Sequence, residues 1–547
     1  MSRADALPAA RQTGRSALLV ASGILCSRLA GLVRLRTFAY YFGLQSEAAD
    51  AFNAAFRIPN FLQNLFGEGA LSASFIPVYS ALLARGRRAE ADRVAGAVAS
   101  LLALAVAILV LIGLLATPTI ITLIAPGFTG AKRDLTIEIV RVLFPGAGLL
   151  VLSAWCLGVL NSHHRFLLSY AAPVIWNAAM IVTLLSFGPH TPSPRLAVLL
   201  AWGSVVGSGL QIIVQIPAVF RVASELRFVL DVASGEVRAV ARNFVPVLIS
   251  RGVVQTSAYI DALLASLLPT GAVTGLANAQ SLYTLPISLF GISVSAAELP
   301  AMSGAAVSDA SGFEAVRARL NAGLRQIAFY VVPSAVAFLA LGDVVAGALL
   351  QTGRFTHTDA VYVWGILAGS AVGLLASTLG RLYASTYYAL RDTRTPLRYA
   401  VVRVALTTVL GYVFAIPLPK LVGLRAEWGA AGLTASAGIA GWVEMLMLRG
   451  ALNGRIGRTG LPAEYVAKLW AASALGAGVA WASRLGVAPV NPMAAAVVVL
   501  GPYGLVFFGA TLALRIPEAS TVWDRVRFAV APPGWRNAAR SRRDPEP

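Results

Sequence analysis

Long apolar segments recur along this chain, and short polar connections separate them. Most are at least as long as the roughly 20 residues that cross a bilayer as a helix. The pattern predicts an all-α polytopic membrane protein with about 14 transmembrane helices. The predicted spans are residues 16–42, 49–84, 91–124, 136–160, 166–188, 196–220, 240–268, 272–303, 315–350, 360–389, 397–417, 428–448, 463–485 and 491–515.

The composition supports this class. The chain of 547 residues is 57% hydrophobic and only 13% charged, and its net charge is +19. About a quarter of the residues of a soluble domain are charged, so the usual estimate of soluble domain number does not apply. Most of the basic residues are arginines, which fits either loop charge at the cytoplasmic face or a preference for phosphate groups.

Loop charge predicts the orientation of the helices. With a cytoplasmic N-terminus, the basic connections around 84–93, 221–242 and 391–398 all fall on the inner side. The opposite connections hold fewer basic residues, at Lys132, Arg133, Arg195, Arg354, Lys420 and Arg425. Because cytoplasmic loops carry an excess of Lys and Arg, both termini are expected in the cytoplasm.

A weak internal repeat suggests two halves. "LFGEGALSASFIPVYS" (65–80) is similar to "LFGISVSAAELPAMS" (289–303), and "APGFTGAKRD" (125–134) is similar to "QTGRFTHTDA" (351–360). Tandem halves of this kind hold substrate in a cavity between them in known transporters. The predicted divisions are 1–15 (cytoplasmic segment), 16–225 (N-lobe of six helices), 226–450 (C-lobe of six helices), 451–515 (two appended helices) and 516–547 (basic cytoplasmic tail).

The first two spans carry polar residues that lipid would not accommodate. The first contains Arg28, Arg34 and Arg36, and the second begins with Asp50. A charged side chain at the bilayer centre costs roughly 3 kcal/mol, so it normally faces a cavity or a partner. At about 100° per residue one side of the second span forms a polar stripe. The stripe consists of Arg57, Asn60, Asn64 and Glu68.

Two interpretations of this stripe stay open. In one, Arg57 pairs with Asp50 or Glu68 and only joins two helices. In the other, the excess of arginine over carboxylate attracts an external anion such as a pyrophosphate, which guanidinium groups bind in bidentate fashion. Arg36 could instead extend to the headgroups.

The second half offers fewer candidates. Arg251 and Gln255 share a face of span 240–268, where Arg251 either completes an anion site or extends to the cytoplasmic headgroups. Asp261 is a candidate for ion coupling. The sequence contains no His/Cys metal cluster, phosphate-binding loop or nucleophile elbow. We therefore expect neither an enzyme nor a protein that uses a cofactor or metal, and any transport draws on a gradient or the membrane potential.

Several motifs resemble the MurJ/MviN family. They are "SRLAGLVR" (27–34), "ADAFNAAFRIPNFLQNLFGEGALSASFIPVYS" (49–80), "APGF" (125–128), "GRFTHTD" (353–359) and "YYALRDTRTP" (387–396). The resemblance runs from about residue 16 to 515. It implies fourteen helices, two six-helix lobes around a central cavity, and a groove beside the appended helices for a polyprenyl tail. It also implies transport of lipid II, undecaprenyl-pyrophosphoryl disaccharide-pentapeptide, from the inner to the outer leaflet of the bacterial cytoplasmic membrane.

The resemblance also assigns residues. Arg28 and Arg34 match the essential cations of the family, Asp50, Arg57, Asn60 and Glu68 match polar cavity positions, and Thr274 matches a hydroxyl position. The chain departs from the family at Gln63 and Asn64, where many relatives have arginines, and at Ala279–Ser281, where they have "ADR". These departures put the substrate in question.

The leading hypothesis is a lipid II flippase in which Arg28, Arg34 and Arg57 attract the pyrophosphate, while Asn60, Asn64 and Glu68 orient them. The expected partners are lipid II or a related polyprenyl-pyrophosphate glycan, membrane lipids and cell-wall synthesis enzymes, with no nucleic acid and a monomeric state. The alternatives are a flippase for another polyprenyl-linked glycan, a non-transporting scaffold for cell-wall enzymes, and an exporter of cationic drugs. Surplus arginine counts against a cation exporter, whose site requires carboxylates and aromatic rings.

Overall fold

The computed structural model describes residues 3–231, 234–305, 310–485 and 491–530. Regular structure in these ranges is helical, apart from an isolated bridge between Thr352 and Phe355. The predicted all-α class is therefore confirmed. The chain divides into two compact units, one comprising residues 1–277 with 349–359 and the other 278–348 with 360–547.

The first unit is built from eight long helices and the beginning of a ninth. They are α1 (Arg3–Phe42), α2 (Glu47–Phe66), α3 (Glu68–Ala84), α4 (Arg88–Ile124), α5 (Gly130–Ser162), α6 (Phe166–Phe187), α7 (Ser193–Val222), α8 (Gly235–Ser266) and the start of α9 (Ala272–Pro286).

The second unit continues from α9 through a π-helical turn at Ile287–Ile292. Its remaining helices are α10 (Ser293–Ala305), α11 (Ala310–Leu350), α12 (His357–Ala371), α13 (Leu374–Ala389), α14 (Arg394–Ala415), α15 (Pro417–Leu421), α16 (Gly429–Ile456), α17 (Ala463–Leu485), α18 (Pro492–Ala513) and α19 (Pro517–Val530). Within this unit α11, α17 and α18 share an apolar cluster, in which the hydroxyl of Tyr503 donates to the Pro333 carbonyl at 2.6 Å.

Many of these helices are long and apolar enough to cross a membrane. In the described ranges nine qualify, and a tenth does if the bent pair α12 and α13 forms one span. The other four predicted spans also fall on helices. Span 16–42 lies on α1, span 49–84 on α2 and α3, span 240–268 on α8, and span 463–485 on α17. The first three of these spans carry most of the candidate site residues. Their charged and polar side chains lower the mean hydropathy of these segments. A multi-pass membrane protein is confirmed, whereas the count of fourteen stays a prediction.

The connections of the first unit gather at two ends. At one end the Arg354 N–H donates to the Tyr40 carbonyl at 2.9 Å, and its guanidinium donates to Ser193 at 2.8 Å. At the other end the hydroxyl of Tyr79 lies 2.8 Å from Nε2 of His163. Successive spans of this unit therefore alternate in direction, as the predicted topology requires. Which end faces the cytoplasm stays a prediction, as do the predicted lobes 16–225 and 226–450.

Two apolar clusters form the core of the first unit. One packs Phe75 of α3 and Trp155 of α5 against α4. The other packs Phe38 of α1 and Phe52 of α2 against Met180 of α6 and residues of α5 and α7. The second cluster holds the faces of α1, α2 and α6 together, and the candidate site lies beside it.

Candidate functional site

Asp50 joins three helices at the start of α2. Its side chain is 1% exposed, and its Oδ2 atom lies 2.8 Å from Nζ of Lys132 in α5. The same carboxylate accepts hydrogen bonds from the N–H of Gly271 at 2.9 Å and from the N–H and hydroxyl of Thr274 at 2.9 and 2.7 Å. Four donors satisfy this carboxylate, so it fixes α2 to α5 and to the start of α9.

The structure thus brings the predicted residues Asp50 and Thr274 together. Thr274 is fully buried, and its hydroxyl also accepts a hydrogen bond from the Asn53 amide at 3.3 Å. The partner of Asp50 is Lys132, and not Arg57 as one interpretation of the sequence suggested. Direct contact of Asp50 or Thr274 with a substrate stays a prediction, and their contacts favour a positioning role.

Arg34 packs against aromatic rings. Its guanidinium carbon lies 5.2 Å from the ring centroid of Trp176 and 5.5 Å from that of Phe56, within the range of cation–π attraction. Nη1 lies 3.8 Å from the sulfur of Met180. Among the described residues no carboxylate forms an ion pair with Arg34, and its buried Nε has no hydrogen-bond acceptor there. The positive charge of Arg34 is therefore supported by rings and not neutralised by an acid.

The two rings beside Arg34 are themselves held in place. Phe56 and Trp176 stack with centroids 5.7 Å apart, and the indole N–H of Trp176 donates to the Ser204 hydroxyl at 3.1 Å. Phe56 also stacks on Phe52 of the core. Helices α2, α6 and α7 thus build a rigid aromatic wall for the arginine of α1.

Arg57 lies on α2 next to α8. Its backbone carbonyl accepts a hydrogen bond from the Tyr259 hydroxyl at 3.0 Å, and the Tyr259 ring meets Phe61 edge to face at 5.2 Å. Asp261, the candidate for ion coupling, interacts electrostatically with the Arg57 guanidinium. Arg57 and Asp261 are therefore close enough for their charges to interact, a proximity that the sequence did not suggest because 204 residues separate them in the chain.

The polar stripe of α2 is shorter than predicted. The helix ends at Phe66, and Gly67 adopts an extended conformation (φ −79°, ψ −152°) with its N–H donating to the Gln63 carbonyl at 2.7 Å. Glu68 begins α3, so a period of 100° per residue does not carry across Gly67. The continuous stripe from Arg57 to Glu68 is therefore wrong, whereas Arg57, Asn60 and Asn64 do share α2.

The remaining candidates have the following positions. Arg28 is exposed on α1, Asn60 is half-buried and Asn64 is exposed on α2. Nη1 of Arg36 donates to the Leu349 carbonyl at 3.1 Å. The backbones of Glu68 and Arg251 lie in α3 and α8, but their side chains lie outside the described residues.

Sequence reasoning missed the residues that contact Asp50, Arg34 and Arg57. The loop-charge pattern predicts Lys132 in a connection, but it lies in the first turn of α5 with only 11% of its side chain exposed. Phe56, Trp176 and Tyr259 looked like ordinary membrane aromatics. A signal did exist for Lys132, since lysine is rare in this chain and this one lies within the repeated segment "APGFTGAKRD" (125–134).

Together, the fold and this site define a polytopic α-helical membrane protein that holds arginine side chains inside a helix bundle. A family model described as "Lipid II flippase MurJ" matches residues 38–494. The chain belongs to the MurJ family.

Two similar proteins carry names of the same family. The lipid II flippase MurJ of Burkholderia cenocepacia is 32% identical over 439 residues, covering 79% of this chain and 82% of that protein. The probable lipid II flippase MurJ of Bdellovibrio bacteriovorus is 31% identical over 443 residues, covering 80% and 82%.

Solved structures share the fold. A lipid II flippase MurJ in an inward closed conformation superposes with a TM-score of 0.74 at 23% identity, covering 91% of this chain and 99% of that one. An inward-facing multidrug resistance MATE family transporter gives a TM-score of 0.62 at 17% identity, covering 78% and 96%. At these identities the likeness concerns the fold.

Proposed function

We propose that this protein is a flippase that moves lipid II from the inner to the outer leaflet of the bacterial cytoplasmic membrane by alternating access. Its membership of the MurJ family and the names of its relatives support the substrate. The observation that carries the proposal is Arg34, a cation inside a helix bundle with no acidic partner in the described ranges. Such a charge needs an anion, and lipid II carries a pyrophosphate.

The guanidinium groups of α1 and α2 bind this pyrophosphate. Arg34 offers a planar fork of N–H donors, pre-oriented by the aromatic wall, that suits bidentate contact with phosphate oxygens. Arg28 lies on the same helix six residues earlier, and exposure leaves it accessible to the headgroup. Arg57 contributes a third cation, and Arg251 a fourth from α8.

The polar groups around these arginines have supporting roles. Asn60, Asn64 and Glu68 orient the arginines and contact sugar or peptide. Asp50 positions the start of α2, which carries Arg57, through its contacts with Lys132 and Thr274. Asp261 balances the charge of Arg57 and, by exchanging that partner for a proton or cation, couples transport to a gradient.

The arrangement of helices is compatible with transport by alternating access. The fourteen predicted spans lie on helices. An even number of spans would put both termini on the same side of the membrane, and loop charge predicts that this side is the cytoplasm. The same fold occurs in MATE family transporters solved in inward-facing and outward-facing conformations, which is the pair of states that alternating access needs. The polyprenyl tail stays in lipid beside α17 and α18, and the protein acts as a monomer that cell-wall synthesis enzymes can approach.

A second candidate substrate has an observation in its favour. The family resemblance implies arginines at positions 63, 64 and 281, where this chain has Gln63, Asn64 and Ser281. Neutral amide and hydroxyl groups at these positions suit hydrogen bonding to a different glycan, so a flippase for another polyprenyl-linked glycan is the second candidate.

A reconstituted transport assay distinguishes these possibilities. Purified protein is placed in vesicles whose outer leaflet carries labelled lipid II, and loss of the label from the accessible leaflet is measured over time. Parallel vesicles carry a polyprenyl-pyrophosphate with a different glycan. Faster movement of lipid II than of the second substrate supports the proposal, and the reverse order favours the second candidate. A scaffold would move neither substrate above the rate of empty vesicles.

A further inference from the structure

A crevice of about 470 Å³ lies between α5 and α7, and its lining contains none of the residues placed at the arginine site. Both helices are long and apolar enough to cross a membrane. The crevice nevertheless has charged walls. Its lining residues are Asp134, Ile137, Glu138, Arg141, Val142 and Pro145 of α5 and Trp202 of α7.

The charged residues form one stripe on α5. Asp134, Glu138 and Arg141 are spaced by four and three residues, so they share a face, and all three are exposed. With a rise of 1.5 Å per residue, Arg141 lies about 16 Å along the axis from the first residue of α5. The predicted span begins at residue 136, so Arg141 lies about 8 Å inside it, at a depth where an exposed charge requires a partner or a polar cavity.

The two cations that precede this stripe in α5 are directed elsewhere. Lys132 is directed to Asp50 at 2.8 Å. Arg133 donates to the Pro118 carbonyl at 3.4 Å and to the Thr122 hydroxyl at 3.2 Å, both on α4. The crevice therefore presents two carboxylates and one guanidinium, arranged in order of increasing depth.

Apolar surfaces border the crevice. Deeper along α5, Gly146 packs closely on Val205 and Ser208 of α7, which closes the inner end. On α7 an exposed apolar strip continues from Trp202 through Val206, Leu210 and Ile213. A molecule in the crevice could thus place a polar headgroup against α5 and hydrocarbon chains along α7.

We propose that this crevice binds a phospholipid with a primary-amine headgroup of the ethanolamine type. In such a lipid the ammonium is the outer group and the phosphate lies deeper. The order matches α5, whose carboxylates lie nearer the connection at 125–129 and whose Arg141 lies nearer the bilayer centre. The ammonium donates up to three hydrogen bonds to Asp134 and Glu138, Arg141 binds the phosphate, and Trp202 occupies the interface.

The match does not depend on which side of the membrane is cytoplasmic, because α5 starts at a connection on either assignment. The assignment decides only which leaflet supplies the bound lipid, and the predicted topology makes this the outer leaflet. A choline headgroup would fit less well, since its trimethylammonium has no N–H to donate. A glycerol headgroup lacks the positive charge that two carboxylates attract.

Native mass spectrometry of the purified full-length protein tests this site. The protein is mixed with equal amounts of ethanolamine, choline and glycerol phospholipids that have the same acyl chains, and the retained lipids are counted. We expect about fivefold to tenfold stronger retention of the ethanolamine lipid, as charge-assisted hydrogen bonds imply. D134N/E138Q should abolish this preference, and R141Q should lower retention of all three lipids.

A matched control changes two exposed carboxylates of the second unit, E314Q/E464Q, and should keep the preference. Should the crevice variants not purify, the wild-type protein is compared with mono-, di- and trimethylated ethanolamine lipids, whose retention should fall with each methyl group. Equal retention of the three headgroups by the wild type, or an unchanged preference in D134N/E138Q, would overturn the proposal.

Discussion

The Nζ atom of Lys132 lies 2.8 Å from Oδ2 of Asp50, and 1% of the Asp50 side chain and 11% of the Lys132 side chain are exposed. The pair links residues 82 positions apart and, through Gly271 and Thr274, fastens α2 to the start of α9. Because α2 carries Arg57, this link sets the position of part of the candidate site from a distance.

Removing one member of this pair should destabilise the protein strongly. Asp50→Asn or Lys132→Met leaves a buried charge without its partner, which typically costs about 3–5 kcal/mol. Unfolding temperatures of the purified variants in detergent would show it. The double variant should lose less stability than the two single variants lose together. If the two losses of stability simply add, the two side chains do not interact.

The aromatic wall makes a separate prediction. Trp176→Leu removes the ring beside the Arg34 guanidinium, and cation–π contacts contribute about 0.5–2 kcal/mol, so substrate affinity should fall up to about thirtyfold. Trp176→Phe keeps a ring but loses the hydrogen bond to Ser204, and should retain most of the affinity. Binding of labelled lipid II to detergent-solubilised protein measures both. Equal losses in the two variants would assign the effect to Ser204 and not to Arg34.

The break between α2 and α3 depends on Gly67. A Cβ atom at this position would clash with the Gln63 carbonyl oxygen. The backbone would therefore have to shift to accept a side chain. Gly67→Ala should therefore lower both the unfolding temperature and the transport rate. Gly450→Ala, at a helical glycine with open space around it, serves as the control and should change neither. A Gly67→Ala protein with normal stability and rate would show that the break does not need glycine.

Acidification should lower the stability of the protein through a histidine at one end of the first unit. Burial lowers the pKa of His163, which lies beside the Tyr79 hydroxyl, while the nearby Asp92 carboxylate opposes this shift and Arg88 adds to it. Because the unfolded imidazole takes up its proton first, near its ordinary pKa of about 6.5, stability should be constant above that pH and decrease as pH falls below it. Unfolding temperatures between pH 8 and 5 test this, and His163→Gln should show a smaller decrease.

The apolar pattern was sufficient to predict the helices, because hydrophobic length is what a bilayer requires of a span. It could not reveal the break at Gly67, since glycine is common in membrane helices and only the local backbone conformation separates a tolerated glycine from a helix end. The prolines at 59 and 77 looked like stronger breakers, yet both lie inside α2 and α3.

The sequence singles out candidate residues, whose role stays a prediction, but it does not reveal their partners. Arg34 and Asp50 stood out because charge is costly in lipid. Trp176, Lys132 and Asp261 come from helices far along the chain, and only tertiary packing brings them to Arg34, Asp50 and Arg57. A single sequence carries no signal of such long-range contacts.

The most direct test of the account compares Arg34 variants in vesicles loaded with labelled lipid II. Arg34→Gln removes the cation but keeps a polar side chain, and Arg165→Gln, an exposed arginine between α5 and α6, is the matched control. We expect Arg34→Gln to transport at least about tenfold more slowly, the effect of losing about 1.4 kcal/mol of anion binding, with its unfolding temperature unchanged. Transport by Arg34→Gln at the rate of Arg165→Gln and the wild type would contradict the central claim that this arginine binds the pyrophosphate.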